Sequence, residues 1–296
     1  YSTQGAVEDE CAEADLVIED GAMASTVGTN FSGTVAIQGQ FNVDVDVTFS
    51  NAEVFMEPGS EIILQDGKNL WVNESTLQSC QDVLWKGITT GTGCIVQVRS
   101  SMIADAESGV RAMNSSIVLV DESEFKNNRV GIEVPEQGGF NSVAIHSANS
   151  TYHAQGPLKQ PYPGQTTVVG QKGYAALDLN DMSLDFSGGN NVIHRLSNGI
   201  VGNGCDLYVN DCSIQNIQPD AAYLHHANGS GIYARGPKAF RSLKQYGYGQ
   251  SGAPSFQNCH WGIYAEHMNV YSWDNNMVNV GTAYRVDRSG YKDVHI

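Results

Sequence analysis

The sequence predicts an all-β protein, a right-handed parallel β-helix with coils of about 22 residues and two long loop insertions. Strand-like segments repeat at a fixed spacing, and corners of Asn, Asp, Ser and Gly separate them. Charged residues make up only 16% of the chain, below the roughly 25% of an average soluble protein. The hydrophobic share of 41% is enough for a packed core, so the chain is not a disordered one.

One unit of the repeat reads apolar, any residue, apolar, three polar residues, any residue and apolar. It reads "VQVRSSMI" from Val96 and "VLVDESEF" from Val118, which lie 22 residues apart. The segments "LWVNESTL" from Leu70 and "LYVNDCSI" from Leu207 have the same form, although Cys212 replaces the third polar residue in the latter. Strands this short need stacked neighbours to bury their apolar side chains, which indicates a solenoid.

A second unit contains a Gly-Ile or Gly-Val pair, as in "VGIEV", "NGIVG", "SGIYA" and "WGIYA". Alternation within both units predicts which side chains point into the solenoid. These inward positions are Val96, Val98, Ile103, Val118, Val120, Phe125, Ile132 and Val134. Leucine-rich repeats have a similar period, but here Leu is sparse and no amphipathic helix pattern is visible.

The Asn pairs between strands are interpreted as corners of the coil. Asn127 and Asn128 separate two strand segments, and Asn pairs return at 190–191 and 275–276. Asn tolerates left-handed backbone angles, and its amide can bond to an Asn in the next coil. We expect Gly131 to allow a tight turn into the following strand.

Residues 1–33 are predicted to form an N-terminal cap segment, and residues 34–296 the β-helix domain, as part of a longer chain. A cap covers the exposed core and strand edges at the end of a solenoid. The two predicted insertions are residues 135–173 and 219–254, which are rich in Gly and Pro. Long loops on a solenoid commonly carry its interactions.

The net charge of −16 argues against nucleic acid as a partner, because phosphates require Lys and Arg. No apolar run of 18 residues exists, so no membrane-spanning segment is predicted. No cofactor is certain from the sequence. Ca²⁺ is the candidate, because Asp44 and Asp46 lie on the same side of a strand.

Six cysteines without a C-x-x-C pair are typical of an exported protein with disulfides rather than of a zinc ribbon. The pairs closest in sequence are Cys80 with Cys94 and Cys205 with Cys212, and these are the disulfide candidates. Buried free thiols are the alternative interpretation.

The segment "LQSCQDVLWKGITT", followed by "VRSSMIADAESGVRA" and "ESEFKNNRVGIEV", resembles a known group. This group is the large secreted right-handed β-helix proteins of Bacteroidetes-type bacteria, which often carry a sorting domain for type IX secretion. The resemblance is good over residues 34–134 and loose elsewhere. It implies a secreted or cell-surface location and does not imply one activity, because a fold does not determine function.

Enzymatic β-helices need carboxylates or a base on one face. A glycoside hydrolase requires two carboxyl groups roughly 5 to 9.5 Å apart, and a lyase requires a base and a partner for the uronate carboxylate. The weak catalytic candidates are Asp178, Asp181, Arg235, Arg241, His225 and His226, with Asp105, Asp121, Asp185 and Tyr223 as further possibilities. Corner aspartates and surface histidines are the competing interpretation for all of them.

Aromatic side chains are the candidates for glycan binding. Alternation places Trp71 and Tyr208 on the outside of their strands, and Tyr246 and Tyr248 lie in the second predicted insertion. If such rings align across coils, they form a strip on which sugars stack.

The leading functional prediction is a non-enzymatic extracellular scaffold or adhesin, at the cell surface or in filaments, whose partners are its own copies or other cell-surface proteins. Stacking of coils between subunits would give filaments through heterologous contacts. A polysaccharide lyase or glycoside hydrolase is the alternative, and a carbohydrate-binding module is the third. A cluster of carboxylates and a base on one face would favour the enzyme.

Overall fold

The chain folds as a β-solenoid, and the predicted fold class is confirmed. The structure, a computed structural model, describes residues 10–236, 242–245, 254–287 and 294–296. Parallel strands stack in about 11 turns, with aligned residues about 23 positions apart. No helix among these residues is long and apolar enough to cross a membrane.

Each turn contributes one short strand to each of three parallel ladders. Among the described residues the strands are β1 (Leu16–Ile18), β2 (Asn30–Ile37), β3 (Gln40–Val43), β4 (Val47–Met56), β5 (Glu61–Leu64), β6 (Asn69–Asn73), β7 (Thr76–Ser79), β8 (Trp85–Thr89), β9 (Ile95–Arg99), β10 (Met102–Ala104), β11 (Ala106–Arg111), β12 (Ile117–Asp121), β13 (Glu124–Lys126), β14 (Val130–Val134) and β15 (Ala144–Ala148). They continue with β16 (Thr151–His153), β17 (Ala175–Asn180), β18 (Ser183–Phe186), β19 (Asn191–His194), β20 (Asn198–Asn203), β21 (Asp206–Val209), β22 (Cys212–Gln215), β23 (Ser230–Arg235), β24 (Ser242–Gln245), β25 (Phe256–Gln257), β26 (Trp261–Glu266), β27 (Asn269–Ser272), β28 (Met277–Val278), β29 (Thr282–Asp287) and β30 (Val294–His295). A 3₁₀ turn, Glu10–Glu13, and one short helix, α1 (Ala24–Val27), lie near the N-terminus.

The three ladders follow one another around the solenoid. Ladder 1 contains β6, β9, β12 and β15 in hydrogen-bonded order, and resumes with β18, β21, β24, β27 and β30. Ladder 2 runs through β7, β10, β13, β16, β19, β22, β25 and β28, and ladder 3 runs from β3 through β5, β8, β11, β14, β17, β20, β23 and β26 to β29. The long strand β4 joins ladders 1 and 2, because it pairs with both β6 and β7.

Residues that the repeat predicts to be equivalent are paired between neighbouring strands. Val96 pairs with Val118, and Ile103 pairs with Phe125 in the neighbouring turn. All eight predicted inward side chains are buried. Inside the solenoid the rings of Phe125 and Tyr152 stack with centroids 5.0 Å apart, so the core is a column of aligned apolar side chains.

The third polar residue of the first unit forms a buried ladder of hydrogen bonds between turns. The Ser123 hydroxyl accepts the Ser101 backbone N–H at 3.1 Å and donates to the Asp121 carbonyl at 2.7 Å. The same pair of bonds recurs at Ser75, Ser101 and Ser150. In the following turn, the side chain of Asn191 accepts the Ser150 N–H. The ladder therefore satisfies buried corner N–H groups that the strands leave unpaired.

The Asn corners are confirmed. Asn127 has a φ of 53°, and the buried amide of Asn128 accepts the Ala106 N–H and donates to the Ile103 carbonyl, both at 2.8 Å. Direct amide stacking occurs elsewhere, where Asn258 donates to Asn216 at 3.0 Å. Asn279 donates to Asn258 in the next turn at 3.2 Å.

The expected role of Gly131 is wrong. The residue lies inside β14, where a Cβ would come 2.5 Å from the Ala176 carbonyl oxygen and 2.9 Å from the Tyr152 ring. Glycine is therefore required by the close approach of two turns rather than by a bend in the chain.

Residues 16–33 belong to the solenoid. Strand β1 pairs in parallel with β2, and Met23 bridges to Asn42, so residues 16–33 form part of the first turn. The boundary predicted at residue 34 falls inside β2. Helix α1 lies in this turn, and its residue Ala24 is buried in the core.

Both predicted insertions contain strands of the solenoid. The first includes β15 and β16, and the second includes β23 and β24. Within the described ranges, two long connections leave the coil, residues 154–174 and 216–229. The first folds back over earlier turns, where Gln160 pairs with Val83 and the Lys159 ammonium lies 3.0 Å from the Asp105 carboxylate.

The predicted disulfide pairings are wrong. Cys80 is bonded to Cys11, whereas Cys94, Cys205, Cys212 and Cys259 are buried free thiols. Cys94 and Cys205 instead lie at coil corners, where their thiols bond to backbone carbonyls. The bond holds the N-terminal 3₁₀ turn against the end of β7, the first strand of ladder 2.

We expect Ser123→Ala to destabilise the fold by about 1–3 kcal/mol, because it leaves the Ser101 N–H buried without an acceptor. Urea unfolding followed by circular dichroism measures the change. Ser183→Ala, at an exposed position of β18, is the matched control and should leave the unfolding midpoint unchanged. Equal midpoints for the two variants would contradict the proposed role of the ladder.

Reduction of the Cys11–Cys80 bond should lower the free energy of unfolding by roughly 4 kcal/mol, the loop-entropy value for a closed segment of 69 residues. Unfolding curves with and without a reductant test this. The Cys11→Ser variant should already have the lower stability and show no further response to reductant. A wild-type midpoint that is insensitive to reduction would argue against the bond.

Candidate functional site

A cluster of ionisable and aromatic side chains lies outside ladder 3, on the last three described turns. Outward residues of β23, β26 and β29 align in two rows, because the strands pair in register. The first row is Tyr233, Tyr264 and Arg285, and the second is Arg235, Glu266 and Asp287. Residues 216–229 cross this face, and Ala227 packs on the two tyrosine rings.

Glu266 is the centre of the cluster. Its carboxylate is 2.5 Å from His226 Nε2, accepts the Tyr233 hydroxyl at 3.0 Å and lies 3.7 Å from Arg235 Nε. Burial alone would raise the pKa of Glu266, but hydrogen bonds from His226, Tyr264 and Tyr233 outweigh it, so this pKa lies below its usual range. Glu266 is therefore a fixed negative charge near neutral pH.

A second carboxylate lies beside Glu266 in the next turn. Asp287 is its register partner, and adjacent turns are about 4.8 Å apart. The Tyr264 hydroxyl donates to Asp287 at 2.9 Å and also bonds to Glu266, and burial together with these carboxylates raises the pKa of Tyr264. The protonated phenol therefore separates two neighbouring negative charges.

Several members of the cluster are open to solvent. The exposed fractions of the His226, Arg235, Asp287 and Arg285 side chains are 54%, 56%, 46% and 43%. The Arg285 guanidinium lies over the rings of Trp261 and Tyr264, at 5.3 and 4.6 Å from their centroids. A ligand can thus reach an imidazole, a carboxylate and a guanidinium on one face.

The ring of His225 packs against the ring of His226. The His225 ring stacks on His226 at 4.6 Å and contacts the Tyr233 ring edge-on at 4.8 Å. Burial lowers the pKa of His225, and the neighbouring His226 lowers it further. His225 is therefore neutral near pH 7, and its stacked ring helps to hold the His226 ring in place.

The sequence candidates His225, His226 and Arg235 are brought together, whereas Glu266 and Asp287 were missed. The missed signal is the alignment of "SGIYAR" with "WGIYAE", which places Arg235 beside Glu266. Tyr223 lies apart, because its hydroxyl bonds to the backbone of Gly170 and Lys172. Arg241, Tyr246 and Tyr248 lie outside the described residues.

The aspartate candidates do not converge. Asp178 lies on β17 of ladder 3, Asp181 is at the following corner with a φ of 50°, and Asp185 lies on β18 of ladder 1. Asp105 and Asp121 are also on different sides of the coil, at a corner after β10 and at the end of β12. A corner of the coil lies between Asp178 and Asp181, and Asp105 and Asp121 lie on different sides of it. Neither set therefore forms a carboxylate pair on one face.

The predicted aromatic strip is interrupted. Trp71 and Tyr208 alternate with buried neighbours, as expected of outward positions. Gln97, Leu119 and His146 continue the row of Trp71, and Asp185 precedes Tyr208. The two rings therefore lie on the same ladder without contact.

The calcium candidates hold neighbouring turns together. Asp44 accepts the Ser25 N–H at 2.9 Å and the Ser25 hydroxyl at 2.5 Å, and Asp46 accepts the Asn69 N–H at 2.9 Å. Over the described part of the chain, no group of three His, Cys, Asp or Glu residues could hold a metal ion. The calcium site remains a prediction from sequence.

Comparison with protein-family models, with curated proteins and with solved structures finds no match. The function must therefore be inferred from the side chains of the cluster.

The buried carboxyl group of Asp178 should make the stability of the fold depend on pH. Burial, and then the charge of Glu133 in the adjacent turn, raise the pKa of Asp178 to about 7. Between the unfolded value near 3.8 and about 7 the folded protein binds the extra proton, so its stability falls as the pH rises through this window. Asp178→Asn should raise the melting temperature at pH 8 and have little effect at pH 4.

Melting curves of both proteins from pH 4 to pH 8 measure this difference. Asp185 is exposed on the next strand, so Asp185→Asn is the control. Its melting temperature should not rise relative to wild type as the pH increases. The prediction would be wrong if the difference in melting temperature between Asp178→Asn and wild type did not grow with pH. The Asp178 carboxyl would then ionise without lowering the stability of the fold.

Proposed function

We propose that this protein is an extracellular enzyme that hydrolyses glycosidic bonds at the cluster around Glu266. The observation that carries the proposal is the pair of carboxylates, Glu266 and Asp287, on register-paired positions of one face with the His226 imidazole bonded to the first. Carboxyl groups on neighbouring turns, roughly 5 Å apart, have the separation of a retaining glycosidase, in which one carboxylate attacks the anomeric carbon.

The environments of the groups assign their roles. Glu266 stays ionised and holds His226 through Nε2, so the imidazolium form of His226 can give a proton to the departing glycosidic oxygen. Asp287 is half-exposed and attacks the anomeric carbon as the nucleophile, while the glycosidic oxygen leaves with the proton from His226. Neutral His226 then takes a proton from the water that hydrolyses the glycosyl–Asp287 ester, which restores both groups. The exposed side of Trp261 offers a ring on which a sugar stacks.

The extracellular location is supported by the Cys11–Cys80 disulfide, because such bonds persist in oxidising compartments. The resemblance to secreted Bacteroidetes-type β-helix proteins points in the same direction. The non-enzymatic scaffold, adhesin or filament remains a prediction from sequence. We favour cleavage over it because the cluster places a base and two carboxylates on one face.

Elimination from a uronate-containing polysaccharide is the second candidate. The exposed guanidinium of Arg235 favours it, since a cation beside the base would hold the uronate carboxylate. In that reaction His226 removes the proton next to the carboxylate, a carbon–carbon double bond forms and the glycosidic oxygen leaves with a proton. The ultraviolet absorbance of the unsaturated product distinguishes elimination from hydrolysis.

We expect His226→Gln to lower the rate of glycan cleavage by about 10²–10⁴-fold, the usual contribution of general acid–base catalysis. Galactomannan, soluble β-1,3-glucan, polygalacturonate and alginate are the substrates, and new reducing ends and ultraviolet absorbance are the readouts. His146→Gln, at an exposed position of ladder 1, should retain the full rate. Lack of product from all four polymers, or full activity of His226→Gln, would refute the proposed enzyme.

A further inference from the structure

A polar groove lies outside ladder 2, away from the cluster. It has a volume of about 650 Å³ and follows the corner between ladders 1 and 2. Its lining comes from five successive ladder-2 strands, β7 to β19, so at the spacing of stacked strands it extends for roughly 20 Å. Glu74, Glu122 and Glu124 contribute carboxylates, and Thr76, Ser100 and Thr151 contribute hydroxyls.

A second groove of about 580 Å³ adjoins the first. Gln155 lines both, and His194 of the first groove is followed directly by Arg195 of the second. The polar side chains of this part are amides and cations, among them Gln171, Lys172 and Asn216, and they lie beside Ala154, Gly156 and Pro157. We call the two grooves together the furrow. Carboxylates lie at one end of it, and the two cations lie at the other.

A buried histidine in the wall of the furrow has an unused hydrogen-bonding atom. His153 is 4% exposed, its Nε2 is 2.5 Å from Glu124, and its Nδ1 has no partner among the described residues. The His194 ring stacks on it at 4.7 Å. Burial, followed by His153 and Arg195, lowers the pKa of His194 to about 4, so this ring is neutral at pH 7. An unsatisfied buried polar atom is uncommon in a folded protein, and this one lies in the wall of the furrow.

We propose that the furrow binds one strand of a neutral, hydroxyl-rich polysaccharide. Sugar hydroxyls can donate to the carboxylates at one end and accept from the amides, Lys172 and Arg195 at the other. A polyanion fits less well, because Glu74, Glu122 and Glu124 and the net charge of −16 repel it. The length of the furrow suits a polymer rather than a single sugar.

The furrow also leads towards the cluster. Gln218 lines its basic end and begins the connection, residues 216–229, that carries His225 and His226 over ladder 3. A strand held in the furrow would therefore be directed around the corner to the proposed hydrolytic groups. Binding does not depend on that chemistry, and it would persist if the cluster had another role.

Affinity electrophoresis in native gels that contain galactomannan, soluble β-1,3-glucan or polygalacturonate tests the proposal. Wild type and His226→Gln should be retarded equally by a neutral polymer and not by polygalacturonate. The combined variant Glu122→Asn, Glu124→Ala and Arg195→Asn should lose at least 10-fold in affinity. Asn is chosen because Glu122 and Arg195 have φ values of 49° and 58°, which Asn tolerates.

Glu19→Ala, at an exposed position near the N-terminus, is the charge-matched control and should bind like wild type. Thermal melting confirms that each variant is folded. Retardation by polygalacturonate alone, no retardation by either neutral polymer, or undiminished binding by the combined variant would each overturn the proposal. Because His226→Gln is expected to cleave about 10²–10⁴-fold more slowly, its binding separates this inference from the proposed hydrolysis.

Discussion

The hydrogen bonding between successive turns is the constraint on which the structure depends. Strands inside each ladder lie between two parallel neighbours, and each corner must also satisfy its buried N–H groups. The column from Ser75 to Asn191 does this with side chains, since each serine accepts from one turn and donates within its own, and Asn191 accepts from and donates to the preceding turn. A polar side chain at this place in successive units is therefore a requirement of burial, because an orphaned group costs about 1–3 kcal/mol.

The same register brings distant residues together outside the solenoid. Arg235, Glu266 and Asp287 come from three different units, yet they are neighbours because β23, β26 and β29 pair residue by residue. The connection of residues 216–229 then supplies His226, which the coil itself could not place beside Glu266. Rigid strands thus fix the carboxylates, and one loop completes the cluster, as a site on a rigid scaffold requires.

The fold was predictable because its signal is local and repeated. The copies at Val96 and Val118 reveal the period, the inward face and the corners without any knowledge of contacts. The cluster was only partly predictable, since Glu266 has no local feature that distinguishes it from a surface carboxylate. The Cys11–Cys80 bond was not predictable for a similar reason. It depends on the first turn, whose strands lack the repeated pattern, and proximity in sequence favoured other pairs.

The corners of the coil connect the fold to the furrow. Asn accepts a left-handed backbone more readily than most residues, and it occupies this conformation at Asn127, Asn149 and Asn216. Glu74, Glu122 and Arg195 adopt the same backbone, although their long side chains give the corner no compensating local bond of the Asn type. These charged corners all line the furrow. Strained backbone retained with charged side chains is more often a property of ligand sites than of inert surface, which favours binding at this face.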